Sequence, residues 1–253
     1  MKLITFGATD PGRKRANNED AYLLDDRLRL YAVADGVGGV EGGEVASRIA
    51  VETLGEAMPD LLGDRDRTPP AGRSSGEGTE LTALRSAVSF AHRTIRAAVG
   101  KAPGLADMGT TLTALLLANK RAYLVHIGDS RAYLLRAGEL TQITNDHSVV
   151  AEQVRAGRLT AGEAKTSPYR HVITRALGIA ENAAPDLAER PIQKNDTLLL
   201  CSDGLTEMVD DAGIRTILSG FPTRDAVKKL IDAANGRGGV DNITAVVVQV
   251  LEI

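Results

Sequence analysis

Hydrophobic positions change period several times along the chain, and the changes mark its elements. Residues 3–8, 21–24 and 28–34 are short apolar runs of strand length, which predicts three strands before any helix. The spacing then shifts to three and four. Val45, Ile49, Leu54, Met58 and Leu61, with small alanines between them, predict an amphipathic helix over about residues 43–62. Leu81, Leu84, Val88, Ala91, Ile95 and Ala98 predict another, and His92 beside that stripe is read as a surface residue. Residues 69–79 are rich in Gly, Pro and Ser, and are read as a flexible surface loop rather than a domain boundary.

Strands crowd together after the second helix. Residues 110–118 and 121–127 are separated by Asn119-Lys120, a two-residue hairpin signal, and residues 131–135 and 140–143 flank a turn at Arg136-Ala137-Gly138-Glu139. Adjacent hairpins predict antiparallel sheet, and long amphipathic helices inserted between strands predict helices on the outside, an α+β arrangement. Residues 144–170 turn polar around a short helical piece at 149–156 and are read as a mobile flap. An apolar strand is predicted at 172–177. The last third predicts a strand at 197–201, a helical turn at 210–218, a helix at about 224–234 and a strongly β run at 245–250.

Three of the apolar runs end alike. Residues 28–34 stop at Asp35-Gly36-Val37-Gly38-Gly39, residues 122–127 at Gly128-Asp129-Ser130, and residues 197–201 at Ser202-Asp203-Gly204. An Asp-Gly pair by itself is a good turn. Three of them, each after a strand, can gather carboxylates at one end of a sheet, where they repel one another and raise one another's pKa unless a cation neutralises them. Asp241, just before the last β run, is a fourth. Hard oxygen donors without a Cys or His cluster favour magnesium or manganese over zinc.

Composition narrows the partners. With 43% hydrophobic and 25% charged residues the chain is an ordinary globular protein, and a net charge of −3 argues against nucleic acid as a ligand. The single cysteine, Cys201, rules out an internal disulfide and is read as a small buried residue. No apolar run approaches a membrane span, and a cytoplasmic protein is expected. His147 beside Asp146 offers a general acid or base, although its place near a helix start is the more common setting of a structural hydrogen-bonding histidine.

Read in order, Arg15-Ala16-Asn17-Asn18-Glu19-Asp20, Asp35-Gly36-Val37-Gly38-Gly39, Gly109-Thr110-Thr111, Gly128-Asp129-Ser130-Arg131, Asp146-His147-Ser148, Ile173-Thr174-Arg175-Ala176-Leu177-Gly178, Ser202-Asp203-Gly204-Leu205 and Asp241-Asn242-Ile243-Thr244 resemble the motif set of the protein phosphatase 2C family, the metal-dependent Ser/Thr protein phosphatases, in its compact bacterial form. The resemblance covers nearly the whole chain. It implies a four-layer αββα sandwich of two antiparallel β-sheets flanked by helix pairs, formed by residues 1–253 as one catalytic domain. It also implies a pair of manganese or magnesium ions in a cleft at one edge. By the same resemblance Asp35, Asp203 and Asp241 are direct ligands, Gly36 is one through its carbonyl, and Glu19 and Asp20 act through water. Asp129 with Asp203 holds a third, weaker ion, and Arg15 binds phosphate. Eukaryotic relatives carry a His as general acid where this chain has Val37, so a water on the third ion at Asp129 is the candidate acid.

The partners so implied are phosphorylated proteins, including a cognate Ser/Thr kinase of the bacterial eukaryotic-like type, and a monomer is expected. Two rival readings differ in class. A dinucleotide domain fits the strand, glycine loop and helix at residues 33–46, but Glu41 stands where its third glycine belongs and Asp35 would repel pyrophosphate. A non-catalytic phosphopeptide-binding member of the same fold would be expected to have lost site acids, and all of them are present.

Overall fold

The structure, a computed structural model, describes residues 1–38, 42–63, 78–99, 108–179 and 183–253. Gly39 and nearly all of the loop read at residues 69–79 lie outside the described residues. The chain runs β1 (Lys2–Asp10), β2 (Asp20–Asp25), β3 (Leu30–Val37), α1 (Gly42–Gly63), α2 (Thr79–Val99), β4 (Gly109–Thr110), β5 (Leu112–Ala118), β6 (Arg121–Ile127), β7 (Arg131–Arg136) and β8 (Glu139–Gln142). It continues through α3 (Val149–Arg155), α4 (Ala161–Thr166), β9 (Asp186–Pro191), β10 (Thr197–Cys201), α5 (Asp203–Thr206), α6 (Asp211–Gly220), α7 (Thr223–Gly236) and β11 (Ile243–Glu252).

One sheet has the order β1-β11-β10-β7-β8 and the other β2-β3-β5-β6-β9, with β4 pairing β3, and every strand pairing among the described residues is antiparallel. The hairpins follow from turn chemistry. Asn119 and Lys120 both adopt positive φ, as do Ala137 and Gly138, the backbone that matches the right-handed twist of the strands they join.

Alternation along each strand sorts the apolar residues into three cores. Leu30, Ala32 and Ala34 of β3 pack with Leu54 and Met58 of α1 and Leu84, Val88 and Ile95 of α2. Leu199, Cys201, Ala245 and Val247 pack with Ile214 and Leu218 of α6 and Val227 and Leu230 of α7. The opposite faces meet between the sheets, where Tyr31 and Val33 pack against Leu198, Leu200, Val246 and Val248. This is the four-layer αββα sandwich. Each fully buried aliphatic side chain stabilises it by about 1.5–3 kcal/mol, so both faces of the central strands contribute. Cys201 is fully buried, and burial pushes its thiol up to about 12, which removes it from redox or nucleophilic duty near neutral pH.

Three local expectations are corrected. His92 is 7% exposed, because its turn of α2 faces the segment that returns from the flap, and its Nδ1 accepts from the Gly178 N–H at 3.1 Å. Residues 172–177 form isolated bridges rather than a strand: Ser148 pairs Ile173 and Thr110 pairs Leu177, with no strand alongside to continue either ladder. The carboxylates gather from both sheets rather than at the end of one. Strand β9 was not anticipated, since Asp186–Pro191 is mostly polar and ends in proline, the composition of an edge strand.

Close backbone contact joins the first turn of α5 to Asn242, the residue before β11, beside the acids. A Cβ on Gly204 would stand 2.0 Å from the Asn242 carbonyl oxygen. Gly204→Ala is therefore expected to cost about 1–3 kcal/mol, an overpacking penalty that backbone cannot relieve by rotating a side chain. Gly220→Ala, where nothing lies within 4 Å, should move stability by less than about 0.5 kcal/mol. Denaturant midpoints of the two variants check the contrast.

Candidate metal centre

Strand alternation that builds the inter-sheet core also aims the acids. Asp35 lies in phase with Tyr31 and Val33, whose side chains enter the layer between the sheets, and Asp20 lies opposite Asp35 in the β2–β3 register. From the other sheet, Asp203 follows the end of β10 and opens α5, and Asp241 precedes β11. Asp129 leaves the end of β6 after Gly128. The acids predicted from sequence therefore converge, with Glu19 and Arg15 at the rim on the loop between β1 and β2.

Neutral groups hold this cluster in place. Asp20 Oδ2 accepts from Ser202 Oγ at 2.7 Å and from Thr244 Oγ1 at 2.6 Å, which joins β2 of one sheet to β10 and β11 of the other. Ser202 stands at the N-cap of α5 without capping it, because its hydroxyl donates to Asp20 and accepts from the Thr244 N–H at 2.9 Å. The Asp35 N–H donates to Thr111 Oγ1 at 3.0 Å, and its carbonyl accepts from the Thr111 N–H and from Thr110 Oγ1, both at 2.9 Å. Gly36 donates to the Glu19 carbonyl at 3.1 Å and lies against Gly43, where a Cβ would meet the Gly43 carbonyl oxygen at 2.1 Å. Only glycine leaves that backbone room.

Asn242 fastens the loop that carries Arg15 and Glu19. Its Oδ1 accepts from the Glu19 N–H at 2.8 Å, and its Nδ2 donates to the carbonyls of Pro11 at 3.0 Å and Asn17 at 2.8 Å. Arg15 Nη2 donates to Asp241 Oδ2 at 2.7 Å while 55% of the Arg15 side chain stays exposed. Hydrogen bonding to Asp241 raises the guanidinium pKa further, so this group is a permanent cation.

Charge at the centre is uncompensated. Burial pushes Asp20 up to about 7, ahead of the opposing hydrogen bonds from Thr244 and Ser202. Burial and then repulsion from Asp20, Asp203 and Asp129 hold Asp35 well above the carboxylate range. Asp129 is likewise held well above it by burial and then Asp203, and Asp203 is raised by burial and then Asp241. Asp20 Oδ1 and Asp203 Oδ1 are buried without a hydrogen-bond partner, which native structures avoid unless another ligand supplies the interaction. Buried carboxylates and orphaned oxygens make a donor set that fits divalent cations with a taste for oxygen.

His147 is structural. It is 1% exposed, its Nδ1 accepts from the Gly128 N–H at 3.1 Å, its Nε2 lies 3.2 Å from Asp186 Oδ2, and its ring centroid is 4.7 Å from that of His126. Residues given no role by the motifs stand around the site. Arg131 grips Asp146 with contacts of 2.7 and 3.0 Å, and one nitrogen of His171 and carboxylate oxygens of Asp203 and Glu207 lie within 4.8 Å of one another. His171 sits in a polar stretch with no regular spacing, and only the return of the flap brings it to α5.

A family model described as protein phosphatase 2C matches residues 12–244. The chain belongs to the protein phosphatase 2C family. It is 42% identical over 244 residues to the serine/threonine protein phosphatase PstP of Mycobacterium tuberculosis, covering 96% of this chain and 44% of that protein, so it spans less than half of that relative's length. Protein phosphatase PhpP of Streptococcus pneumoniae is 37% identical over 250 residues, with 96% of each chain covered. The crystallised catalytic domain of PstP, in complex with two manganese ions, superposes with a TM-score of 0.84 at 41% identity, covering 99% of both chains. Bacterial enzymes of this family thus share the two-sheet sandwich described here. Among the described residues no helix is long and apolar enough to cross a membrane.

Raised acids make ion binding depend on pH. A buried acid with an elevated folded pKa keeps stability below its unfolded value and loses it as pH climbs toward the folded value; for Asp20 that window runs from 3.8 to about 7. Buried His126, held down to about 4, has the opposite sign, but it contributes equally with and without ions and cancels in the difference. The stabilisation gained on adding Mn2+ is therefore expected to grow from about pH 5 to 7, by up to about 1.4 kcal/mol per pH unit for each proton displaced. Thermal melts with and without Mn2+ check it, and a gain independent of pH contradicts it.

Proposed function

We propose that this chain is a manganese- or magnesium-dependent protein serine/threonine phosphatase that hydrolyses phosphoseryl and phosphothreonyl groups. The convergence of Asp20, Asp35, Asp203 and Asp241 from two sheets, with two buried carboxylate oxygens that lack a hydrogen-bond partner, is the observation that carries the reading. Asp35, Asp203, Asp241 and the Gly36 carbonyl are assigned as direct ligands of a tightly held pair of ions. Glu19 and Asp20 are assigned as partners acting through water. Asp20 suits that place, because Ser202 and Thr244 already hold one oxygen and leave Oδ1 for a water. Asp129 with Asp203 is assigned to a weaker third ion, since Asp203 is the largest charged influence on Asp129.

When bound, the ion pair supplies a water acidified enough to attack phosphorus at neutral pH. The remaining work falls to the protein. Arg15 presents a planar fork of donors that matches phosphoryl oxygens, and its exposure lets it turn from Asp241 toward a substrate dianion. Asn242 keeps the Arg15–Glu19 loop on the edge of β11, so the phosphate and the acids hold a fixed spacing. Phosphate-monoester hydrolysis is slow enough in water that positioning and electrostatic stabilisation must provide most of the acceleration. Residues 1–253 are read as one catalytic domain acting on phosphorylated proteins, with a Ser/Thr kinase as a partner.

Release of phosphate from a phosphothreonine peptide with Mn2+, abolished by chelator and restored by added Mn2+, is the expected result. Full turnover in excess chelator would overturn the metal assignment, and binding of the peptide without turnover would favour a phosphopeptide-binding protein. Arg15→Ala should weaken capture of the phosphopeptide by about 1.5–3 kcal/mol, the scale of a hydrogen bond to a charged group, while Mn2+ binding persists. Steady-state kinetics beside calorimetric Mn2+ titration separate the two, and unchanged kinetics would reassign the role to another cation.

A further inference from the structure

Where the layer between the two sheets runs out, it leaves a cavity of about 140 Å3. Strand β9 is the edge of one sheet, and Ile143 follows β8, the edge of the other, so among the described residues no further strand covers the gap. Leu124 pairs Ala188 and His126 pairs Asp186 in the β6–β9 register, and Leu124, Ile143 and Ala188 all pack in the inter-sheet core. Alternation along β9 places Asp186 and Arg190 on the same face as Ala188. The lining therefore joins an apolar group, Leu124, Ile143 and Ala188, to a polar one that includes His126, Thr144, Asn145, Asp186 and Arg190.

Charge decides what fits there. Asp186 is already taken by the flap, since Oδ1 accepts from Arg175 Nη1 at 3.0 Å and Oδ2 lies 3.2 Å from His147 Nε2. Both nitrogens of His126 are bonded, Nδ1 with Thr113 Oγ1 at 2.9 Å and Nε2 with the Asn145 carbonyl at 3.0 Å, and burial lowers its pKa to about 4, so the ring is neutral. The Arg190 side chain has no ion pair or hydrogen bond among the described residues. A free guanidinium is a planar fork of donors that matches a carboxylate. The volume of about 140 Å3 is close to that of an apolar cavity that takes one benzene ring, about six carbon atoms. We infer that this cavity binds a small monocarboxylic acid with a six-carbon apolar body, its carboxylate on Arg190 and its body against Leu124, Ile143 and Ala188. An occupant also meets Thr144 and Asn145, which lead into the flap, and Asp186, which ties His147 at the start of the flap to Arg175 at its return. Occupancy therefore stiffens the base of the flap. The site shares no residue with the metal centre and stands independently of the phosphatase reading.

The test uses the full chain in chelator, titrated by calorimetry with benzoate and cyclohexanecarboxylate and with neutral benzamide, for the wild type, Arg190→Gln, Ala188→Leu and Arg15→Ala. At least one acid should bind the wild type and Arg15→Ala saturably, one to one, with a Kd below about 1 mM. Arg190→Gln should weaken that binding by roughly ten- to a hundredfold, the range of a hydrogen bond to a charged group, and benzamide should bind the wild type as weakly. Ala188→Leu, which fills the cavity, should abolish it. Melting curves confirm that each variant folds, and the exposed Arg190→Gln keeps the test open if Ala188→Leu does not. Protease cleavage within residues 156–171 should be slowed by the acid in the wild type and not in Arg190→Gln. A wild type that binds neither acid saturably overturns the site, as does equal affinity in Arg190→Gln. Loss of binding in Arg15→Ala alone moves the acid to the phosphate end of the cleft and overturns it as well. Binding that leaves cleavage unchanged overturns the link to the flap. A wild type that binds the acid as expected but releases no phosphate from a phosphopeptide would sink the phosphatase reading and leave this site standing.

Discussion

Everything at the cleft depends on one electrostatic constraint, the presence of several carboxylates at the end of a layer made for apolar side chains. Asp35 continues the line of Tyr31 and Val33, and Asp20 faces it across the β2–β3 pair. Burial there raises Asp20, Asp35 and Asp203, and proximity raises them again. Taking a carboxylate out of water costs several kcal/mol unless a partner restores the lost interaction, and Arg15 does so for Asp241 at the rim. The strain of gathering them is the driving force for binding divalent ions.

Neutral groups do the positioning. Ser202, Thr244, Thr110, Thr111 and Asn242 orient acids and loops through hydroxyl and amide hydrogen bonds, none of which removes the negative charge that a cation needs. Ser202 shows the cost of that service, since it stands at a helix N-cap and gives up capping to hold Asp20. A local rule is broken where the site requires it, and neighbouring packing in two large cores compensates.

The flap is joined to this centre at its neck. His147 receives the Gly128 N–H, Arg131 grips Asp146, and His92 receives the Gly178 N–H, so both ends of the flap are fastened to elements that also carry Asp129 or pack behind it. Such ties let a segment of mostly polar sequence present His171 to Glu207 at the end of α5.

The strands and their antiparallel hairpins, the outer helices and the acids themselves were legible in the chain, because each rests on local physics: a period of two or of three and four, a two-residue turn, a carboxylate beside glycine after an apolar run. Asp35, Asp129 and Asp203 could be singled out in this way. Their meeting from two different sheets could not, since strand order and sheet-on-sheet packing come from non-local burial. His92 was misjudged because a helix stripe does not reveal which neighbour will cover its edge, and residues 172–177 were misjudged because apolar content does not reveal whether a strand will lie alongside. The polar edge strand Asp186–Pro191 is defined only by its pairing with β6. His171 and Glu207 stand 36 residues apart without a shared pattern, and only the return of the flap to α5 brings their side chains to 2.7 Å.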